Sequence, residues 1–179
     1  MRNVLGVLTV LLLAGAGPGA AREKIPIYIG YCYYRPTASS TTDAFGHAWP
    51  QPTLGRLETK RSDLWKMTYD LASFRSNDGN EAGLYALTFG LQRGLGSLAI
   101  RTKPVQPYVA IRTGPYYGKV KSHALGFSES RIGLNINAAV GVLIDKRYFL
   151  EGRYDHFGRV GGFDLDGFSI SAGVKVLSL

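Results

Sequence analysis

Cysteine, methionine and long hydrophobic runs are all scarce in this sequence. It contains one cysteine, Cys32, and two methionines among 179 residues. A single cysteine excludes an intramolecular disulfide framework. Cysteines and histidines do not cluster at the spacing of a structural zinc site, so we predict no metal. After residue 22 no segment approaches the roughly 18 consecutive apolar residues of a transmembrane helix.

The residues that are abundant favour strands, turns and anionic contacts. The chain has 23 glycines and 11 tyrosines, a composition typical of β-structure and tight turns. The formal net charge is +8. A basic protein is attracted to nucleic acid, lipid headgroups or phosphorylated polysaccharide.

The first residues have the features of an export signal. Arg2 precedes an apolar run, Val4–Leu13, and Gly19-Ala20-Ala21 supplies small residues at a cleavage position. The apolar run is far shorter than the roughly 20 residues that span a bilayer. We therefore predict a signal peptide over residues 1–21, cleaved before Arg22, and one domain over residues 22–179.

Apolar and polar residues alternate with a period of two through most of the remaining chain, which indicates β-strands. The pattern is clearest in Ile132–Ile144, Tyr148–Tyr154 and Phe168–Val176. It is rougher in Ile27–Tyr34, Trp65–Leu71, Tyr85–Gln92 and Val109–Gly114. We add Thr53–Lys60, where alternation is poor, because single-chain bacterial barrels have even strand numbers.

Three features favour a membrane barrel over a soluble one. The polar faces combine Gly and Ser with charges of both signs, as a narrow lumen requires. The long connection Pro36–Pro52 lies at one end, and most short turns lie at the other. Aromatic residues occur near strand ends, where lipid headgroups would lie: Tyr28, Tyr33, Trp65, Tyr108, Tyr116, Tyr117, Tyr148, Phe149 and Phe168. We predict an all-β, eight-stranded antiparallel up-and-down transmembrane β-barrel.

Two segments carry a family resemblance. Pro107-Tyr108-Val109-Ala110 followed by Gly114, and the closing stretch Gly167–Val174, resemble the small bacterial outer-membrane barrels of the OmpA-transmembrane, OmpX and OmpW type. The resemblance covers about residues 25–179 and implies an outer-membrane location and insertion by the barrel-assembly machinery. Barrels of this group usually end in an aromatic residue, whereas this sequence ends in Leu179.

Candidate catalytic residues are weak. Late in the chain, His156-Phe157-Gly158 is similar to the His-x-Ser motif of the lipid A deacylase barrels, but Gly158 replaces their nucleophilic serine. His47 and His123 are predicted loop residues without an acid–base partner. Three interpretations stay open for Asp164, Asp166 and Asp155: a weak cation site, an acidic rim, or a solvated loop. We predict no enzymatic activity, no catalytic residue and no cofactor.

Charged residues on the predicted inward faces form a candidate network. Eight strands leave an interior that side chains just fill, and isolated buried charges are costly. We therefore expect these residues to pair in a plugged lumen, with a narrow conducting path as the alternative: Lys66, Asp70, Arg112, Arg131, Glu151, Arg153 and Lys175.

The remaining positive charge is divided between the two predicted rims. Lys119, Lys121, Arg131 and Arg159 lie toward the outer rim. There they could contact outer-membrane lipid and lipopolysaccharide phosphates. Charges spread around two rims do not form the single basic stripe that binds nucleic acid, so we predict no nucleic-acid partner. We also expect the protein to be a monomer.

Phe45, His47 and Trp49 are embedded in the long Ser-, Thr- and Pro-containing loop Pro36–Pro52. They either pack over the barrel mouth or contact a ligand or partner.

The leading functional prediction is a non-enzymatic structural, adhesive or envelope-integrity role in the bacterial outer membrane. The alternatives are a soluble barrel that binds a small apolar ligand, although no Gly-x-Trp of the lipocalin type is present, and a small-solute channel.

Overall fold

The computed structural model describes residues 26–57, 64–76, 80–95, 105–122 and 126–178. The predicted signal peptide, His123 and Leu179 lie outside these ranges. The secondary structure consists of β1 (Pro26–Pro36), α1 (Ser39–Phe45), β2 (Trp49–Arg56), β3 (Lys66–Arg75), β4 (Glu81–Gly94), β5 (Val105–Ser122), β6 (Phe127–Ile144), β7 (Tyr148–His156), β8 (Arg159–Val160), β9 (Phe163–Asp164) and β10 (Gly167–Ser178).

Eight of the strands close into an antiparallel barrel, as predicted. Their order around the barrel is β1–β10–β7–β6–β5–β4–β3–β2, with β2 returning to β1. Strands β8 and β9 form a separate small hairpin above the barrel. Gly161 and Gly162 form its tip with φ of 60° and 80°, a backbone conformation that glycine adopts without strain. No helix in the described ranges is long and apolar enough to cross a membrane.

Side-chain exposure follows the strand period, with apolar residues on the outside. Ile132, Leu134, Ile136 and Val140 of β6 are all exposed, whereas the intervening Asn135 and Asn137 are buried. The strands β1, β3, β4, β7 and β10 alternate in the same sense. This is the reverse of a soluble barrel, in which the apolar face is enclosed.

The second strand begins earlier than predicted. β2 runs over Trp49–Arg56, whereas the sequence predicts a strand over Thr53–Lys60. Pro50 and Pro52 obscure the strand in the sequence, because proline cannot donate a backbone hydrogen bond. They are tolerated because β2 pairs with β3 only from Thr53 onward, so both prolines have β1 as their single neighbour.

The girdle prediction is wrong for four of the aromatic residues. Tyr28, Tyr108, Tyr116 and Phe149 are buried and point into the barrel. Tyr108 and Tyr116 differ from Arg112 by an even number of positions in β5, so all three share its inward face. A position near the end of a strand favours the aromatic girdle, but the alternation of side chains along the strand decides whether a residue faces lipid or the lumen.

The outer hairpin is also longer than predicted. The alternating pattern covers Val109–Gly114, but β5 continues to Ser122, which pairs with Phe127 of β6. Its outer residues keep the alternation, with Val120 buried and Lys119 exposed. The outward residues of β5 change from apolar to charged toward the end of the strand, at Lys119 and Lys121.

Glycines at close strand contacts give a test of this packing. A Cβ built at Gly90 would lie 1.9 Å from the carbonyl oxygen of Ile111 and 2.6 Å from Cα of Arg112. Gly90→Ala must therefore displace β5, and we expect a loss of about 1–3 kcal/mol in the free energy of unfolding. Urea unfolding of the refolded protein, followed by tryptophan fluorescence, measures this loss.

Gly152→Ala is the matched control, because a Cβ at Gly152 meets nothing within 4 Å. We expect it to change stability by no more than about 0.5 kcal/mol. Equal effects of the two variants would contradict the packing described here.

Candidate functional site

The centre of the lumen holds a bidentate ion pair between β5 and β7. Arg112 Nη1 donates to Glu151 Oε1 at 3.0 Å, and Nη2 donates to Oε2 at 2.7 Å. Both side chains are nearly fully buried. β6 lies between these two strands, and its inward Ala139 is small enough to leave them room to meet. The hydroxyl of Tyr108 donates to Glu151 Oε2 at 2.9 Å.

A second guanidinium spans the lumen. Arg153 Nη1 donates to Asp70 Oδ2 at 2.5 Å, and Arg153 Nε donates to Asp155 Oδ2 at 2.8 Å. Asp70 belongs to β3, which lies four strands from β7 and therefore on the opposite wall. Thr53 also donates to Asp70, at 2.7 Å. The pairing thus ties opposite walls of the barrel together.

Neutral polar groups extend the network along β6. Asn135 Nδ2 donates to Asp155 Oδ1 at 3.3 Å, and Asn137 Nδ2 donates to Asn135 Oδ1 at 3.0 Å. The network therefore sets two guanidinium groups against three carboxylates, and amide and hydroxyl groups donate further hydrogen bonds to it. Buried charges are stable when they are paired and hydrogen-bonded in this way.

Apolar clusters close the lumen on both sides of the charged layer. The inner cluster consists of Tyr28, Leu57, Tyr108, Leu143 and Phe149. The outer cluster is larger and includes Tyr34, Phe45, Trp49, Phe74, Tyr116, Phe157, Val160 and Leu165. Between them remains a cavity of about 20 Å³, lined in part by Asp70, Arg112 and Glu151. That volume holds about one water molecule.

The structure brings together four of the seven charged residues predicted for the lumen, namely Asp70, Arg112, Glu151 and Arg153. Lys66 and Lys175 are half-buried and make no ion pair within the described ranges. Arg131 is exposed above the barrel, where its Nη1 donates to the carbonyl of Arg159 at 3.0 Å.

Sequence reasoning missed other members of the network. Asp155 lies in β7 two residues beyond Arg153, so the alternation that selected Glu151 and Arg153 also selects Asp155. Tyr108 is in phase with Arg112 in the same way. Thr53 and Asn135 carry no charge, and nothing in the sequence indicates which partner they reach across the barrel.

The three predicted loop residues occupy different environments. Phe45 and Trp49 are fully buried, and their ring centroids are 6.5 Å apart in an edge-on arrangement. The indole N–H of Trp49 donates to the carbonyl oxygens of Phe45 and Gly46. His47 is exposed.

Asp166 organises the outer loops. Its Oδ1 accepts the backbone N–H groups of Phe157 and Gly158, both at 2.8 Å. Its Oδ2 lies 2.5 Å from Nδ1 of His156. Its carbonyl oxygen accepts both the N–H and the hydroxyl of Thr37, at 2.9 and 3.0 Å. One residue therefore joins the last loop to the first.

These contacts bear on the catalytic and cation-site interpretations. Within the described ranges the side-chain partner of His156 is Asp166, and no serine or cysteine contacts its ring. Asp164 accepts from the backbone N–H of Asp166 at 3.0 Å, whereas Asp155 belongs to the lumen network. Among the described residues, no three His, Cys, Asp or Glu side chains could hold a metal ion.

The sequence matches no family model, and no curated protein sequence matches it. Solved structures do match the fold. Neisserial surface protein A, NspA, has a TM-score of 0.60 at 16% identity, covering 86% of this chain and 96% of that one. Ail of Yersinia pestis has a TM-score of 0.53 at 16% identity, covering 86% and 99%. The N-terminal barrel of Pseudomonas aeruginosa OprF has 0.53 at 12%, covering 87% and 100%.

These similarities and the closed strand order establish the fold class. The chain has the fold of the small eight-stranded outer-membrane β-barrels. Within that fold, this chain is characterised by a lumen that is charged at its centre and apolar at both ends.

The central ion pair can be tested by removing one partner. Glu151→Ala leaves the Arg112 guanidinium buried without its carboxylate, and we expect a loss of about 3–5 kcal/mol in the free energy of unfolding. Arg112→Ala combined with Glu151→Ala should cost less than the sum of the single variants. Urea unfolding of the refolded protein measures all three.

Lys175→Gln serves as the control, because Lys175 also lies on an inward face but makes no ion pair in the described part of the chain. It should leave the unfolding midpoint near that of the unchanged protein. A Glu151→Ala midpoint equal to that of Lys175→Gln would contradict the network.

The outer loops should respond to acid through Asp166. Burial alone would raise the pKa of this carboxyl, but hydrogen bonds from Gly158, His156 and Phe157 together lower the pKa below its ordinary value. The stabilisation is complete above the ordinary pKa of about 3.9 and is lost as the pH falls through the lowered pKa. Amide chemical shifts of Phe157 and Gly158 in detergent micelles should therefore change only below about pH 4.

Asp166→Asn should abolish this acid transition, whereas Asp43→Asn, which changes an exposed carboxylate of α1, should preserve it. Persistence of the transition in Asp166→Asn would show that another group causes it.

Proposed function

We propose that this protein is a non-enzymatic barrel of the bacterial outer membrane with a structural, adhesive or envelope-integrity role. The observation that carries the proposal is the reversed polarity of the barrel wall, with charges enclosed and large apolar side chains on the surface. A contiguous apolar surface of this extent is unfavourable in water and favourable in lipid. The predicted signal peptide would supply export.

The outward apolar surface forms a band with aromatic residues toward its edges. Tyr33, Tyr154 and Phe168 lie toward the outer edge, and Trp65 and Tyr148 lie toward the inner edge. Tyr154 and Phe168 pack with ring centroids 4.9 Å apart. The guanidinium of Arg147 lies 5.6 Å from the ring centroid of Tyr148. Aromatic girdles beside basic residues are typical of barrel surfaces at the two headgroup layers.

Basic residues above the band support contact with lipopolysaccharide. Arg75 of β3 pairs in register with Gly83 of β4, and Gly83 pairs with Lys119 of β5. Tyr85 and Tyr117 follow on the outward face, one step closer to the band. Two cations therefore flank a glycine directly above two aromatic rings, a suitable arrangement for phosphate groups of the outer leaflet.

The filled lumen argues against the two alternative functions. A soluble carrier of apolar ligands needs a cavity large enough to enclose the ligand, whereas the cavity at the charged layer is about 20 Å³, which holds about one water molecule. The same filling argues against a small-solute channel, because the ion pairs and both apolar clusters obstruct the path.

If the protein binds a partner, the exposed His47 is better placed than the enclosed Phe45 and Trp49. Insertion by the barrel-assembly machinery and a monomeric state complete the proposal.

Cell fractionation with heat-modifiable gel mobility tests the membrane location. We expect the protein in the outer-membrane fraction, extracted only by detergent, with different mobilities for boiled and unboiled samples. Recovery in the periplasm without detergent would refute the proposal.

A charged substitution in the middle of the band tests which face meets lipid. Val140 is exposed on the outward face of β6. Val140→Arg should cost about 2–4 kcal/mol in lipid vesicles, because the bilayer interior does not solvate the guanidinium. Ser130→Arg, on the same face of β6 but above the apolar band, should cost little. Equal stability of the two variants in vesicles would place Val140 outside lipid.

Planar-bilayer recordings test the closed lumen. We expect no discrete conductance from the unchanged protein. Frequent openings under the same conditions would favour the channel alternative.

A further inference from the structure

A groove lies on the outside of the barrel where the first and last strands meet. It has a volume of about 450 Å³ and is lined by Arg35, Pro36, Thr37, Ser39, Thr42 and Phe168. We infer that it binds the anionic phosphate headgroup of a membrane lipid that has a net negative charge. The inference rests on the proposed membrane location but assigns a specific site that the location alone does not require.

Arg35 supplies the positive charge of the groove. It is exposed, and it makes no ion pair in the part of the chain that the structure describes. Its neighbours Tyr31 and Tyr33 on the same face of β1 are exposed to the lipid side, so Arg35 stands at the outer end of a lipid-facing row. A guanidinium presents paired donors that match the oxygens of a phosphate.

The polar wall of the groove is held in place by the loop contacts. Both the N–H and the hydroxyl of Thr37 donate to the carbonyl of Asp166. The hydroxyl of Thr42 donates to the carbonyl of Ser39 at 2.9 Å. The exposed hydroxyl of Ser39 makes no hydrogen bond within the described ranges, which leaves it able to donate to a bound phosphate.

The carboxylates of the last loop are directed at other partners. The carboxylate of Asp166 accepts the N–H groups of Phe157 and Gly158 and contacts His156. Asp164 accepts from the backbone N–H of Asp166. No carboxylate in the described ranges forms an ion pair with Arg35, so its guanidinium is open to an external anion.

The apolar floor identifies the anion as a lipid. Phe168 is the cross-strand neighbour of Arg35, and its side chain is 59% exposed. The next outward pair toward the membrane is Tyr33 and Ile170, which are also exposed. A free anion would use Arg35 alone, whereas a lipid would also cover this apolar strip with an acyl chain.

Native mass spectrometry of the refolded protein tests the site, with phosphatidic acid and phosphatidylcholine as probes in detergent. We expect retention of phosphatidic acid over phosphatidylcholine. Arg35→Gln should lower retention of phosphatidic acid about tenfold or more, as expected for the loss of hydrogen bonds to a charged group. Ser39→Trp, which fills the groove without changing charge, should also lower it.

Arg93→Gln is the matched control, because Arg93 is an exposed outward arginine of β4 that lies outside the groove and at the other end of the barrel. It should retain phosphatidic acid as the unchanged protein does. Equal losses in Arg35→Gln and Arg93→Gln would indicate general surface charge and overturn the groove.

Inorganic phosphate distinguishes the two possible sources of the anion. We expect millimolar phosphate to leave the lipid bound, and complete displacement would assign the site to a free anion and refute the lipid. Absence of any phosphatidic acid adduct from a protein that fractionates with the outer membrane would refute the groove while leaving the proposed function intact. Recovery as a soluble periplasmic protein would remove both.

Discussion

Closure of eight strands into a narrow barrel constrains everything else in this molecule. The interior has room for side chains and almost nothing more, so each inward group must find its partner among the other inward groups. Arg153 meets this condition by reaching Asp70 on the opposite wall, and Arg112 does so by reaching Glu151 across β6. The charged layer therefore depends on the strand order and register, and a shift of one strand would leave several charges buried without partners.

The same closure explains the contrast between the two faces of the wall. Specific pairing is needed only inside, where a misplaced charge is costly. On the outside, lipid requires only that a side chain be apolar. Apolar side chains of different shape therefore occupy outward positions, as Ile170, Met67 and Leu150 do. The loops add a third environment, in which Trp49 and Phe45 close the mouth and Asp166 connects the first and last loops.

The sequence predicts those parts of the fold and the site that follow from the alternation of apolar and polar residues alone. It identified the barrel, the outward row of β6 and four members of the ion network, because those features require only the parity of residues along a strand. It did not locate β2, where Pro50 and Pro52 interrupt the pattern yet occupy a stretch with one neighbouring strand. It also could not reveal the groove at Arg35 or the bond from Thr37 to Asp166, because these depend on how two loops far apart in sequence meet.

The outer loops also bear on the order in which the protein acquires its structure. Tyr34 donates to the carbonyl of Leu165, Thr37 to that of Asp166, and Thr41 to that of Asp164, across separations of 131, 129 and 123 residues. Contacts between such distant residues carry a large loop-closure entropy until β1 and β10 are joined. The ordered outer surface is therefore a late product of folding, and only a chain whose ends have met can present it.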